Sequence, residues 1–249
     1  MRTAWYIRLR RQAYTAILAV LFAGFAWFTA GEAEGTVAAE VALPAVVPAT
    51  TLHSLTEGKS LDGFGAFATD GSQIAFMRDG RIWVMSVGGT DAQPVTKPET
   101  DWDAVPAWRP GSEQIAYVRH AREGGKAEVR LLELASGKEQ QLAVENVSIG
   151  HVAWSPDGKS LYYTTAQRLM QVTVVSRKSR QVLGVSADWE MLAGGLVITR
   201  DGKQAIFGAG RRTERGADYN LWRAPLTGRG QPEQLTRTGG IMPALDAKG

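Results

Sequence analysis

The 249-residue sequence has no cysteine, which removes disulfide staples, thiolate metal sites and a lipid-bearing thiol from consideration. Histidine is nearly as scarce: His53, His120 and His151 are the only three, and none has a partner at metal-ligand spacing. No Gly-x-Ser-x-Gly elbow occurs, so no α/β-hydrolase nucleophile is signalled. Gly158-Lys159-Ser160 looks like the end of a phosphate-binding loop, but Ala153 stands where the earlier glycine is required, and the setting is a hairpin. A basic excess is also missing from most of the chain. Arg2, Arg8, Arg10 and Arg11 all precede Glu32, the first acid, and setting these four aside leaves 24 of the 28 Lys and Arg against 25 Asp and Glu. The overall net charge of +3 is therefore local to the N-terminus, and a clustered nucleic-acid-binding face is excluded.

What the chain does have is one sentence written four times. Its clearest copy is Trp154-Ser155-Pro156-Asp157-Gly158-Lys159-Ser160-Leu161-Tyr162-Tyr163. Looser copies start at Phe67, Trp108 and Ile198. Equivalents of Asp157 fall at positions 70, 111, 157 and 201, giving steps of 41, 46 and 44 residues. A period of roughly 40–50 residues built from several short strands is the signature of a β-propeller. In each copy an apolar stretch meets a Pro/Asp/Gly turn and a β-rich run follows, the pattern of a hairpin. Two more strands complete each unit: Arg81-Ile82-Trp83-Val84-Met85 before Gly88-Gly89, residues 128–134 with 140–142, residues 169–175 with 180–183, and Asn220-Leu221-Trp222 with Glu233-Gln234-Leu235-Thr236. Four strands per unit make one blade. The expected fold is all-β, with blades at about 57–97, 98–143, 144–187 and 188–237 and a partial fifth at 238–249.

Trp154-Ser155-Pro156-Asp157-Gly158-Lys159-Ser160-Leu161 resembles the repeat of TolB-like β-propellers, a WD-repeat-like superfamily. Ile82-Trp83-Val84-Met85 and the closing Gln234-Leu235-Thr236-Arg237 fit the same pattern. The resemblance spans about residues 51–249; Gly111 replaces the family's Asp in the second copy, and the fourth lacks the aromatic and the proline. It implies a non-enzymatic scaffold for protein contacts in the cell envelope, with no cofactor. Two alternatives stay open. One is the propeller portion of a prolyl-oligopeptidase-like peptidase lacking its hydrolase domain; the other is a membrane-anchored sensor ectodomain.

The ends of the repeat carry further expectations. Leu52-His53-Ser54-Leu55-Thr56 matches the blade-closing Leu235-Thr236, and Pro243-Ala244-Leu245 aligns with Pro106-Ala107-Trp108. Either these orphans pair into an incomplete closing blade, or the chain is a shortened form of a longer propeller. Residues 1–12 form a basic n-region, and 13–30 are an uncharged run that reads as a signal peptide or a retained transmembrane helix. Residues 31–50, with Pro44 and Pro48, read as a linker. The expected location is periplasmic or otherwise extracytoplasmic, with membrane contact only through 13–30.

The candidate partner-binding residues lie in two basic loops in equivalent places, after the second strand of blades two and four. They are Arg119, His120, Arg122 and Lys126 in one, and Arg211, Arg212 and Arg215 in the other. Equivalent insertions emerge on one face of a propeller. Trp102 and Trp189 lead into the same blades and are the aromatic candidates for that face. Asp101 and Asp103 flank Trp102 with Glu99 nearby, a conceivable oxygen site for a cation, but a solvated inter-blade loop is the favoured reading. Asp70, Asp157 and Asp201 are read as turn formers.

Overall fold

The computed structural model describes residues 54–56, 60, 62–123, 125–192, 194–214 and 216–245. The n-region, the apolar segment 13–30, the linker, His53, Arg215 and residues 246–249 lie outside the described residues. Among the described residues no helix is long and apolar enough to cross a membrane. They form seventeen β-strands in four antiparallel sheets, each sheet one blade of a propeller.

Blade 1 contains β1 (Asp62–Phe67), β2 (Gln73–Arg78), β3 (Arg81–Ser86) and β4 (Gln93–Pro94). Blade 2 contains β5 (Trp102–Trp108), β6 (Gln114–His120), β7 (Ala127–Glu133) and β8 (Lys138–Glu145). Blade 3 contains β9 (Val152–Trp154), β10 (Ser160–Thr164), β11 (Arg168–Thr173) and β12 (Ser179–Gly184). In these three, sheet order follows chain order. Blade 4 departs from four strands. Its innermost place is divided between β13 (Trp189–Glu190) and β14 (Leu196–Ile198), which pair with opposite ends of the long β15 (Gln204–Thr213). Strands β16 (Gly216–Pro225) and β17 (Glu233–Gln234) complete it.

The repeated turns explain the repeated sentence. In three blades an Asp carboxylate accepts the backbone N–H two residues on: Ser72 to Asp70, Lys159 to Asp157 and Lys203 to Asp201, each at 3.0 Å. Blade 2 substitutes a different turn. Pro110 sits at its second position and Gly111, at φ 66°, at its third, closed by Ser112 N–H donating to the Arg109 carbonyl at 3.2 Å. That is the arrangement of a type II turn, which needs a left-handed third residue. Gly111 therefore replaces Asp without loss of the hairpin.

Strand alternation gives each sheet two faces, and adjacent blades bury the faces they turn to one another. Ile115 and Tyr117 of β6 pack with Ala75 and Ile82 of blade 1, while Ala116 and Val118 pack with Val152 and Leu161 of blade 3. Leu169 and Val182 of blade 3 meet Leu196 and Phe207 of blade 4 in a third cluster. Each of the buried Val, Leu, Ile and Phe side chains contributes about 1.5–3 kcal/mol. A polar lock is added at two boundaries. Trp108 Nε1 donates to the Ala66 carbonyl, and Trp154 Nε1 to the Ala107 carbonyl, both at 3.0 Å. Each tryptophan of the repeat thus ties its blade to the one before it. Ile198 holds that position in blade 4 and has no N–H to offer, while Phe67 of blade 1 is 64% exposed.

Candidate functional site

The ends of the second strands, the hairpins that follow them and the starts of the first strands meet on one face, because both first and third strands run antiparallel to the second. The basic residues expected on this face are largely engaged with acids. Arg119 Nε donates to Asp103 Oδ1 at 2.7 Å and Nη2 to Oδ2 at 2.9 Å, a bidentate pair across β5 and β6. Asp103 is fully buried. Burial raises its carboxyl above the usual range, opposed by the Arg119 guanidinium and the Thr96 hydroxyl. The charges continue across the blade: Arg119 and Arg130 both reach Glu139 at 3.1 Å, and Arg130 and Lys126 both reach Glu128 at 2.9 Å.

The same device stands in blade 1. Arg78 grips Asp62 bidentately at 2.6 Å, again 16 residues apart, and Thr56 bonds Asp62 as Thr96 bonds Asp103. Arg78 holds the Asp62 carboxyl below its ordinary range. These pairs rule out the oxygen site conceived around Glu99, Asp101 and Asp103, since Asp103 points into the protein and spends its oxygens on Arg119. Among the described residues no three His, Cys, Asp or Glu side chains are grouped to hold a metal.

The aromatic candidates are also drawn inward. Trp102 is half-buried and stacks on the His120 ring with centroids 4.2 Å apart and planes 12° from parallel. Trp189 is buried against Trp222, and the Arg211 guanidinium lies over its ring while pairing with Asp188 at 3.1 Å. His151 meets Phe64 edge to face at 6.0 Å. Phe64 belongs to blade 1 and His151 to the segment entering blade 3, so the first strands converge there. Phe64 and Val105 occupy matching bulges in β1 and β5, at φ 55° and 54°. Burial pushes both His120 and His151 down to about 4, so both are neutral imidazoles rather than solvent-facing ligands.

What remains exposed is the hairpin of blade 4. Its glycines suggest a flexible loop from residue 208 onward, yet β15 and β16 stay paired from Gln204–Pro225 to Thr213–Gly216. The glycines serve close packing instead. A Cβ on Gly208 would overlap the Ile241 carbonyl, and one on Gly210 would meet the Tyr219 ring at 2.7 Å. The outer strand β17 flanks only Trp222 and Arg223, so the distal half projects past it. Arg211 and Arg212 are exposed on this arm, as Arg122 and Lys126 are on the blade 2 hairpin. Among the described residues no ion pair engages Arg122 or Arg212.

No protein-family model matches the sequence, and no curated protein matches it either. Solved structures do. TolB from Acinetobacter baumannii is 22% identical with a TM-score of 0.53, the match covering 69% of this chain and 43% of that one. The putative TolB from Agrobacterium tumefaciens is 18% identical with a TM-score of 0.59, covering 74% and 64%. The chain has the TolB-like propeller fold. It spans less than two thirds of the length of either TolB structure. Tricorn protease is also similar, at 16% identity and a TM-score of 0.55, over 76% of this chain and 18% of that one.

Within this TolB-like propeller, four of the nine candidate residues gather at the exposed rim: Arg122, Lys126, Arg211 and Arg212. Arg119, His120 and Trp189 are turned into the blades, Trp102 is half-buried, and Arg215 lies outside the described residues. Asp62, Arg78, Glu128, Arg130 and Glu139 were not candidates, though they fix the rim's geometry. The 16-residue separation of Asp62 from Arg78, repeated between Asp103 and Arg119, was the available signal.

Proposed function

We propose that this TolB-like propeller is a non-enzymatic binding scaffold of the cell envelope, and that the arm formed by β15 and β16 is its contact element for a protein partner. The observation that carries this reading is the arm itself. It is a ten-residue-per-strand hairpin held rigid by its own ladder, projecting past its outer strand and bearing exposed Arg211 and Arg212. Supporting it, Arg119, Lys126 and Arg130 of the rim are paired with Asp103, Glu128 and Glu139, and both described histidines are buried. Arg122 and Arg212, which no ion pair engages among the described residues, suit acidic protein surfaces, where arginine makes bidentate contacts at low ordering cost. An extracytoplasmic location is part of the proposal, resting on the four N-terminal arginines and the uncharged run that follows them.

The test is site-specific photo-crosslinking from position 212 of the full-length chain in its native cells. A discrete adduct, lost when Arg122→Glu and Arg211→Glu are introduced into the same crosslinking protein, is the expected result. The same adduct from position 178, distant in the chain on a blade 3 turn, would overturn the assignment to the arm. Fractionation of the same cells tests location, and recovery in the cytosol would overturn it.

A further inference from the structure

We infer that the outer edge of blade 2 is a second binding site, one that takes an extended acidic peptide by strand addition. It is separate from the arm proposed above, and stands or falls independently of it.

Strand β8 is the longest outer strand of the four: eight residues, against two in β4, six in β12 and two in β17. On one side it pairs with β7 along its whole length. Its other side borders a cleft of about 670 Å³. Residues 138 to 144 line this cleft without interruption. Alternate side chains of a strand point to opposite faces, so a run of seven consecutive residues along one cleft shares only its backbone edge. Among the described residues no backbone hydrogen bond outside the blade reaches 138–144 on that edge. Unpaired N–H and C=O groups in a row are a template for a further strand. Seven residues of extended chain span about 23 Å.

The opposite wall decides the chemistry. It is supplied by Arg177 and Ser179 of blade 3. Arg177 is exposed and sits at φ 54°, in the left-handed region. With the Gln140 amide oxygen turned to the guanidinium, Gln140 accepts from Arg177 Nε at 2.8 Å. Lys138 adds a second exposed cation at the same end. The one acid of the lining, Glu139, is already held by Arg119 and Arg130. The cleft is therefore net positive at its Lys138 end. Val144, 41% exposed, offers apolar contact at the other end. An extended peptide alternating carboxylate and β-branched residues fits both.

The test uses the full-length chain and a fluorescein-labelled heptapeptide of alternating glutamate and valine, read by anisotropy and by hydrogen exchange. Saturable binding with slowed exchange at 138–144 is expected. Arg177→Gly removes the cation while leaving a residue at ease at φ 54°, so the fold survives, and it weakens binding by about tenfold. The same peptide N-methylated at alternate positions, presented to the unaltered protein, loses binding because it cannot complete the ladder. Equal binding of the methylated peptide, absence of saturation, or protection at 211–218 instead of 138–144 would each overturn the proposal. The last result would leave the arm reading intact while removing this one.

Discussion

Arg119 holds Asp103 through two parallel hydrogen bonds inside a protein that gives the carboxylate no access to water. The pair lies between blades 1 and 2, with Thr96 of blade 1 as a third partner. Removing Arg119 leaves the buried Asp103 carboxyl with no cation and only the neutral Thr96 hydroxyl as a side-chain partner. Arg119→Ala is expected to cost about 3–5 kcal/mol. Arg78→Ala, which frees the partly exposed Asp62, should cost clearly less. Urea unfolding of both variants measures the difference.

The indole locks make a sharper comparison. Trp154→Phe retains most of the apolar volume but leaves the Ala107 carbonyl without its donor, which costs about 1–3 kcal/mol. Trp108→Phe does the same to Ala66. Phe67→Ala, at the equivalent but exposed place in blade 1, should stay within about 0.5 kcal/mol. Equal losses in all three would contradict the locking role.

Stability should also fall in mild acid. The imidazoles of His120 and His151 are pushed down to about 4 by burial, whereas in the unfolded chain they titrate near 6.5. Between those values the unfolded state binds more protons than the folded one. Their contribution is thus complete above about pH 6.5 and is lost as pH falls towards 4, by about 3 kcal/mol for each histidine. Urea midpoints at pH 7.5, 5.5 and 4.5 follow the loss, and His151→Leu should flatten about half of the slope.

Gly208 offers a structural test of the C-terminal segment. Gly195 N–H donates to the Ile241 carbonyl at 2.7 Å, and a methyl group on Gly208 would drive that carbonyl away. Gly208→Ala should release residues 241–243, seen as fast amide exchange there, and cost about 1–3 kcal/mol.

Blade number, strand order and turn chemistry were legible because the repeat carries them locally: Asp157 and its equivalents need only their own backbone two residues on. The rim was legible only by half. Position along the repeat placed Arg119 beside a loop, but its burial depends on Asp103, which belongs to another strand, and on Glu139 from a third. The packing role of glycines 208 and 210 was not legible because the groups they accommodate, Ile241 and the Tyr219 ring, are not their chain neighbours. The divided inner place of blade 4 follows from the same uncommonly long β15, which one short strand cannot flank. The aromatic pairs Trp102–His120 and Phe64–His151 join positions that no periodicity relates.

The absence of an indole at Ile198 has a mechanical consequence. Each tryptophan couples only adjacent blades, so the assembly behaves as beads on a line rather than as a single block. Blades 1 to 3 are joined by two identical fasteners, and the joint to blade 4 has none of that kind. That joint is carried instead by its apolar cluster and by Arg180 Nη2 donating to the Leu226 carbonyl at 3.1 Å, so it should answer to changes in side-chain packing rather than to loss of an indole donor.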